Sequence, residues 1–507
     1  MPRLAALTLL LLLATETHAE PVAAGPTFDQ GLATAVTTVA LAFMAPRILE
    51  PVPVSQLTVW GLRGLTALDP QLTPELRDGS LRLSGPDRIL VVQPAPKNEE
   101  PAEWASAAVS LAAVAWMESA AVHRAGTGGI LQSFFDELFN HLDPYSRYVA
   151  PGEAAEDRER RSGTAGLGLV LAKRGGAVVV EQAIEDGPGA LGGIVRGDRI
   201  GAVDGRATHG HDAPSVSDWI DGPEDTSVTI AWRGRDGKLR SADLVRAMVP
   251  PETVFAQTAG DLLLVRITGF NRRTGQRVAR ELDTALNGPR PPVAIVLDLR
   301  GNRGGLLREA AAVADAFLTP GLIAMTAGRD PQATRVWQSG SDELAANVPV
   351  TVLVDGRSAS AAEVLAAALE DRGRAVVIGS STLGKGLVQT IAPLPDGGEL
   401  FVTWSRILAP GGWPIQGLGV LPQVCTSKGQ EALARQLAAL ARGVQPMADA
   451  IARHRAARAP VPPVQVLALR SACPAAEGSD ADLSAARAVI ANPAVYAAAL
   501  LPATSGR

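Results

Sequence analysis

A turn in the second half of the chain carries two serines among small residues. Ser358 and Ser360 lie in the run DGRSASAAEV, which follows an apolar stretch at residues 350–354 and leads into apolar residues at helical spacing. A turn between a strand and a helix exposes a hydroxyl group, and the free N–H groups of a helix N-terminus can stabilise a developing oxyanion. These residues therefore indicate a serine nucleophile.

A serine nucleophile needs a base, and the composition of the chain restricts which residue can serve. None of the histidines lies within residues 251–424, which excludes a local Ser-His-Asp triad and leaves a histidine from another segment as an alternative. Lysine is rare in this arginine-rich chain, yet Lys385 lies between two glycines among apolar residues. A desolvated lysine can lose its proton, whereas arginine cannot. Ser360 and Lys385 therefore form the best-supported local pair of nucleophile and base.

Several motifs around this pair resemble one family. S-A-S-A-A-E, G-K-G-L-V-Q and P-I-Q-G-L-G-V-L-P together resemble the carboxyl-terminal processing (tail-specific) peptidases, the S41 serine peptidases, and the resemblance covers residues 48–424. It implies that Ser360 is the nucleophile, that Lys385, 25 residues later (385 − 360), is the base, and that Gln389 orients this lysine. In the alternative interpretation the serines are turn residues and Lys385 is a surface charge.

A glycine-containing turn supplies candidates for the oxyanion hole. The run DLRGNRGG at residues 298–305 resembles the family's D-L-R-x-N-x-G-G. The resemblance implies that the N–H groups of Gly305 and Ala361 stabilise the oxyanion, with Gly304 as an alternative to Gly305. Preorganised donors of this kind lower a barrier by about 3 kcal/mol each. Ala362, Leu383 and Gln423 depart from the family's usual residues, but none of them removes a catalytic group.

The middle of the chain, residues 162–248, is predicted to be a small, mostly β domain. Short alternating strands are separated by glycine turns, and the run PGALGGIVRGDRIGAVDG resembles the signature of bacterial PDZ domains. By this resemblance, Leu167, Gly168 and Leu169 form a loop that holds the C-terminus of a peptide, which adds as a strand to the sheet edge. The alternative is a PDZ domain that only regulates access to the active site.

The following region, residues 251–424, is predicted to be the peptidase core. Apolar runs at residues 293–297, 350–354 and 375–378 are typical of strands buried on both faces. The family resemblance implies an α/β fold, with a crotonase-like core of repeated β-β-α units, an inserted PDZ domain and a helical N-terminal region.

The N-terminal region is predicted to contain an export signal followed by a helical domain. Residues 1–19 combine Arg3, a short apolar run and a small-residue site, as a signal peptide does, and an uncleaved anchor is the alternative. Residues 20–156 are predicted to be helical, with soluble helices at 31–48 and 104–122 and an exposed loop at 92–101. Helices of this region mediate dimerisation in relatives, so the resemblance suggests a homodimer.

The last region, residues 425–507, is predicted to be a helical extension used for packing or assembly. Alanine-rich helices are expected at 430–454 and 482–501, with a proline-rich break at 459–463. The chain's cysteines are Cys425 and Cys473, and an oxidising compartment favours a disulfide between them, with two buried thiols as the alternative. No Cys/His cluster has metal-ligand spacing, so neither a metal nor another cofactor is expected.

Together these features predict an exported, periplasmic serine endopeptidase that binds protein C-termini through its PDZ domain. The net charge of −5 gives no electrostatic reason to expect nucleic-acid binding. One alternative is a PDZ scaffold or a latent peptidase homologue that binds tails without cutting them. Another is a crotonase-like acyl-transfer enzyme, which the PDZ and export features disfavour. An adaptor protein is a further expected type of partner.

Overall fold

The computed structural model describes residues 27–162, 165–340 and 343–503, and the predicted signal peptide at 1–19 lies outside them. The chain divides into two compact units. The first comprises Met1–Leu41 and Pro53–Leu142, and the second comprises Ala42–Val52 and Asp143–Arg507. Among the described residues, no helix has the length and apolarity needed to cross a membrane.

The first unit combines helices with a small antiparallel sheet. The helical N-terminal region is confirmed; three strands that were not predicted lie between its helices, and the last of them occupies part of the loop predicted at 92–101. Asp78 and Gly79 both have positive φ, which suits the tight turn of a hairpin. The elements are α1 (Gln30–Met44), which begins in this unit, α2 (Val54–Leu62), α3 (Gly64–Leu68), β1 (Thr73–Arg77), β2 (Ser80–Ser84), β3 (Ile89–Pro94), α4 (Pro101–Glu118) and α5 (Ala120–Phe139).

In the second unit, a mostly β domain precedes the core, as predicted. Its main sheet has the order β11-β10-β8-β7-β6, so that β6 is an edge strand. The elements up to the end of this domain are β4 (Arg147–Val149), α6 (Pro151–Ser162), β5 (Ala165–Gly166), β6 (Leu169–Arg174), β7 (Ala177–Ala183), α7 (Pro188–Leu191), β8 (Arg199–Val203), β9 (Arg206–Ala207), α8 (Ala213–Ile220), β10 (Ser227–Arg233), β11 (Leu239–Val245) and β12 (Ala247–Met248).

The core contains two sheets. One has the order β13-β14-β15-β18-β19-β22, parallel except for the pairing of β13 with β14; the other has the order β17-β16-β21-β20, and β4 also pairs with β21. The elements are β13 (Val254–Ala259), β14 (Leu262–Ile267), α9 (Thr274–Leu286), β15 (Ala294–Asp298), α10 (Leu307–Asp315), β16 (Gly321–Ala327), a 3₁₀ turn (Pro331–Ala333), β17 (Arg335–Ser339), β18 (Val350–Val354), α11 (Ala361–Asp371), β19 (Ala375–Gly379), β20 (Leu387–Pro393), β21 (Glu399–Leu408) and β22 (Val424–Cys425).

The central parallel strands are buried on both faces, as their continuous apolar runs predicted. In β15, Ile295 and Leu297 join the hydrophobic cluster formed with α9, α10 and α11, whereas Val296 joins a cluster on the opposite face. Successive side chains of a strand point to opposite faces, so a strand covered on both sides must be apolar throughout. This packing places the carboxyl ends of β15 and β18, and the turns that follow them, at one edge of the sheet.

The C-terminal extension covers the second face of this sheet with helices. The continuous helices predicted at 430–454 and 482–501 are each two helices, because Gly443 (φ 79°) interrupts the first and the Asn492-Pro493 pair interrupts the second. A helix after the proline-rich break was not predicted. The elements are α12 (Gln430–Ala441), α13 (Ala448–Arg455), α14 (Pro463–Arg470), α15 (Asp480–Ile490) and α16 (Pro493–Ala499).

Candidate active site

The two serines of the nucleophile turn have different environments. Ser358 is fully buried, and its hydroxyl donates to the Leu299 carbonyl at 2.8 Å and accepts the Asp355 N–H at 3.0 Å. Ser360 is half-buried at the start of α11, with φ 57° and ψ −118°. A serine with this backbone geometry is uncommon and persists only where its surroundings hold it. Ser358 therefore builds the turn, and Ser360 is the serine that the turn presents.

The glycine loop after β15 lies directly against Ser360. A Cβ atom on Gly304 would lie 2.8 Å from the Ser360 Cβ and 3.0 Å from the Ala361 nitrogen, so only glycine fits there. The Gly304 N–H already donates to Asn302 Oδ1 at 2.8 Å. Within the described ranges, the N–H groups of Gly305 and Ala361 have no hydrogen-bond acceptor. Of the two glycines considered from the sequence, Gly305 therefore has the N–H group that remains available to an oxyanion.

The buried carboxylate of Glu363 connects the serine turn to the lysine loop. One oxygen accepts the N–H of Ser360 at 2.7 Å and the N–H of Lys385 at 2.8 Å. The other accepts the N–H of Gly384 at 2.6 Å and the Thr382 hydroxyl. Burial raises the pKa of Glu363, and these donated hydrogen bonds oppose that shift. The sequence motif contains this glutamate, but sequence reasoning gave it no role.

The predicted base lies over an aromatic ring and not on the serine. Lys385 Nζ is 5.1 Å from the centroid of the Tyr145 ring, a distance typical of a cation–π contact. In the part of the chain that the structure describes, no hydrogen bond joins Lys385 Nζ to Ser360 Oγ. Tyr145 follows the Leu-Asp-Pro run at residues 142–144. Sequence analysis assigned Tyr145 no role, because its position in the chain gives no sign of its contact with Lys385.

Gln389 belongs to a chain of hydrogen bonds that leads to the same turn. Its side-chain amide donates to Thr403 Oγ1 at 3.0 Å, and this hydroxyl donates to Asp143 Oδ1 at 2.7 Å. Across the described residues, no hydrogen bond links Gln389 to Lys385. Thr403 therefore fixes the Gln389 amide and connects it through Asp143 to the turn of Tyr145, whose N–H also donates to Asp143 Oδ1 at 3.0 Å.

The predicted peptide-binding loop lies at the open edge of the β domain. The Leu167 side chain is buried in the core of this domain, and Gly168 has φ 69°. Among the described residues, the N–H groups of Leu167 and Gly168 have no acceptor, although their carbonyls are engaged. Leu169 begins the edge strand β6. Free N–H groups beside an unpaired strand edge can accept both a carboxylate and an added strand.

Cys425 and Cys473 form a disulfide bond across 48 residues, and both are fully buried. Cys425 ends β22 of the parallel sheet, so the bond joins the C-terminal extension to the core.

Two known protein families match the core and the β domain of this chain. Peptidase family S41 matches residues 261–426, and the PDZ domain family matches residues 179–234. The chain is 33% identical over 301 residues to the carboxy-terminal-processing protease of Bartonella bacilliformis, covering 58% of this chain and 69% of that protein. It is 32% identical over 303 residues to the chloroplastic C-terminal processing peptidase of Tetradesmus obliquus, covering 56% and 64%. A solved structure, the photosystem II D1 C-terminal processing protease, has 26% identity and a TM-score of 0.38, covering 75% and 97%.

The mixed α/β core, the PDZ domain and the serine at a strand-to-helix turn define a serine peptidase with an accessory domain. The chain belongs to peptidase family S41, among its carboxy-terminal-processing proteases. The fold class and family inferred from the sequence motifs are thereby confirmed.

Proposed function

We propose that this protein is an exported serine endopeptidase that binds protein C-termini through its PDZ domain and cuts peptide bonds with a Ser360–Lys385 dyad. The observation that carries this proposal is the Glu363 carboxylate, which accepts the N–H groups of both Ser360 and Lys385 and so fixes their two loops to each other. A turn residue and an unrelated surface lysine would have no reason to share one buried carboxylate.

The proposed chemistry moves one proton between the two side chains. Neutral Lys385 Nζ takes the Ser360 hydroxyl proton as Oγ attacks the peptide carbonyl, and the N–H groups of Gly305 and Ala361 hold the oxyanion. The lysine ammonium then gives this proton to the leaving amine. Water hydrolyses the acyl-enzyme, again with Lys385 as the base. Gln389 orients the lysine once Nζ has moved from the Tyr145 ring to Ser360.

Substitution of the dyad tests the proposal. Protein beginning at Glu20, with Ser360→Ala and Lys385→Ala alongside, is assayed on casein and on a peptide with a free C-terminal tail. We expect both variants to fold and to lose at least ~10³-fold in kcat/KM, because each removes a group that acts as part of one unit. Activity that survives in Lys385→Ala would show that another group is the base.

A second candidate function, favoured by the position of Lys385, is a peptidase that rests in an inactive state. The Lys385–Tyr145 contact, with no hydrogen bond from Lys385 to Ser360 within the described ranges, fits a peptidase that waits for a substrate tail or an adaptor protein. A PDZ scaffold without hydrolytic activity would share this geometry. Reaction of Ser360 with a fluorophosphonate after addition of a tailed peptide distinguishes them, because a resting enzyme becomes labelled and a scaffold does not.

Recognition of a free carboxylate is proposed for the loop of Leu167, Gly168 and Leu169. Replacing the free C-terminus of a peptide by an amide removes the charge that the loop N–H groups would accept. We expect the amide to raise KM by about tenfold, while kcat changes little, because each lost charged hydrogen bond weakens binding by about 1.5–3 kcal/mol before compensation. Equal KM values for both peptides would contradict this role.

Substitution of Gly168 tests the same loop from the protein side. Gly168→Ala should also weaken tail binding, since a Cβ there would lie 2.9 Å from Val249 and the residue has a positive φ. Gly210→Ala, another positive-φ glycine whose Cβ would meet nothing within 4 Å, is the matched control for backbone strain.

Location and assembly remain proposals that rest on the sequence. The pattern of residues 1–19 supports export to a periplasm, with or without cleavage of the signal. The helices of the first unit are proposed to mediate a homodimer. Cell fractionation tests the first proposal, and light scattering of the purified protein tests the second.

A further inference from the structure

A short segment of the C-terminal extension contacts each loop that carries a predicted catalytic group. This segment, residues 470–482, is called the strap. The three loops are the lysine loop (residues 380–385), the nucleophile turn (residues 355–360) and the oxyanion loop (residues 298–305). The strap lies beyond residue 426, where the match to the peptidase family ends.

The strap contacts the lysine loop through Arg470. The guanidinium donates to the Thr382 carbonyl at 2.8 Å and to the Leu418 carbonyl at 2.7 Å. A Cβ atom on Gly419 would lie 2.8 Å from Arg470 Nη1, so the glycine there leaves room for the guanidinium. Thr382 in turn donates its hydroxyl to Glu363. Thr382 therefore links Arg470 to the Glu363 carboxylate, which also accepts the backbone N–H of Lys385.

The strap contacts the nucleophile turn through its backbone. The Ala476 carbonyl accepts the Gly356 N–H at 2.8 Å, and the Gly478 N–H donates to Asp355 Oδ2 at 3.2 Å. The other oxygen of Asp355 accepts the Ser358 N–H at 2.9 Å, inside the turn itself. Hydrogen bonds from the strap thus continue those that shape the turn.

The strap contacts the oxyanion loop through Arg300. This arginine is paired with Asp298 at 2.8 Å, and it donates to the Ser479 carbonyl at 2.7 Å and to Asp482 Oδ2 at 3.2 Å. Asp482 is buried, with 3% of its side chain exposed, so this ion pair is shielded from solvent. The loop that carries the candidate oxyanion donor Gly305 is therefore tied to the start of α15.

The disulfide fixes the strap to the core near its first contact. Cys473 lies three residues after Arg470, is bonded to Cys425 of the parallel sheet, and offers its carbonyl to the Ser381 hydroxyl at 2.5 Å. Loops without regular secondary structure depend on such partners to hold catalytic groups within the narrow range of positions that reaction requires.

We infer that the strap is a positioning element of the peptidase, and that Arg470 is its side chain nearest to Glu363 in the contacts that hold the lysine loop. The backbone of Cys473 and Ala476 holds Ser381 and Ser380 of the same loop. The inference rests on the proposed Ser360–Lys385 chemistry. The strap supplies no reacting group, so it should control how often Lys385 reaches Ser360 and leave substrate binding largely unchanged.

The test compares Arg470→Gln and Arg470→Lys with Arg435→Gln in the full chain. Arg435 is an exposed arginine of the same extension whose ion pair with Glu431 lies on the surface. Arg470→Gln should lower kcat by ~10–100-fold with KM within about twofold, because a small displacement of a reacting group has this effect. Arg470→Lys keeps the charge and should recover part of kcat, whereas Arg435→Gln should match the wild type. An unchanged kcat in Arg470→Gln would overturn the inference.

A second variant keeps the test decisive if Arg470→Gln does not fold. Cys425→Ala with Cys473→Ala releases the strap without removing its hydrogen-bonding groups and should lower kcat in the same manner; unchanged kcat would again overturn the inference.

Hydrogen exchange separates this inference from the proposed function. If the wild type neither cleaves peptides nor reacts with the fluorophosphonate, the dyad proposal fails, yet faster amide exchange at residues 380–386 in these variants would still support the strap. Unchanged exchange there would refute it.

Discussion

At the scale of single residues, Glu363 determines how the predicted catalytic groups are held. Its carboxylate accepts backbone N–H groups from Ser360 and Lys385, which lie on loops well separated in sequence. A carboxylate with all its lone pairs engaged is a rigid junction, because each donor fixes the orientation of the others. The backbone geometry of the site thus depends on a side chain that need not touch substrate.

Glu363→Gln should therefore impair catalysis without removing a reacting group. The amide has one acceptor oxygen, and its NH₂ group would face N–H donors, which leaves buried polar groups unpaired. We expect kcat to fall by ~10²-fold, since the two loops would no longer be held together. Glu431→Gln, an exposed substitution in α12, is the control for loss of a charge. Wild-type kcat in Glu363→Gln would contradict the assigned role.

Sequence motifs were enough to predict Ser360, Lys385 and an oxyanion glycine as site residues, because these residues lie in short runs with a typical order. The same reasoning missed Tyr145 and Thr403, whose contacts with Lys385 and with Asp143 join segments far apart in the chain. Spacing along the sequence carries no information about such contacts. The choice of Gly305 over Gly304 likewise depended on which N–H group Asn302 already occupies.

At the scale of elements, the helices of the C-terminal extension bury ionisable groups against the core. His454 of α13 is 2% exposed, packs edge-on against Trp413 with ring centroids 4.8 Å apart, and lies near the charges of Arg455 and Arg470. Burial lowers the pKa of His454 to about 4. The native protein therefore holds this imidazole neutral over a pH range in which the unfolded chain protonates it.

Stability should consequently fall as the pH drops from about 6.5 towards 4. Over this range the unfolded state binds a proton that native His454 does not, and the slope for one group is at most about 1.4 kcal/mol per pH unit. Chemical denaturation of the wild type and of His454→Phe at several pH values measures the difference between their slopes. Phenylalanine keeps an aromatic ring against Trp413 but cannot bind a proton. The stability of His454→Phe should therefore depend less steeply on pH, by up to the slope of one proton. Parallel curves would show that His454 already titrates normally in the folded protein.

The strands of the core were predictable because continuous apolar runs between turns are typical of parallel sheets buried on both faces. The breaks in the C-terminal helices were harder to predict, since Gly443 and Pro493 lie within alanine-rich segments that favour helix on both sides. The small sheet at β1 to β3 was missed although its Asp-Gly turn signal was present in the sequence.

At the scale of the whole molecule, charged groups join the PDZ domain to the peptidase core. Arg280 of α9 lies 3.0 Å from Glu185 and 3.2 Å from Asp186, and Arg277 also pairs with Glu185. Both acidic side chains are more than half exposed, so each pair contributes at most about 1 kcal/mol and is screened by salt. These contacts can restrain the PDZ domain without holding it permanently.

Removing these charges should loosen the segment between the two domains. Arg277→Gln with Arg280→Gln should increase the rate at which a test protease cuts at residues 249–253, and high salt should have the same effect on the wild type. The melting temperature should change little, because the pairs are weak. Arg308→Gln is the control, because among the described residues the exposed Arg308 pairs only with its neighbour Glu309 on α10 and so joins no two domains. Equal cutting rates at all salt concentrations would show that the charges do not restrain the domain.

The position of the strap near the end of the chain has a consequence for when the peptidase matures. Chains are synthesised from the N-terminus, so Ser360 and Lys385 leave the ribosome before residues 470–482 exist. A nascent chain therefore lacks the contacts that order its catalytic loops, and the Cys425–Cys473 bond forms only in an oxidising compartment. Under the export proposal, proteolytic competence arises after translocation, which protects the cytoplasm in which the enzyme is made.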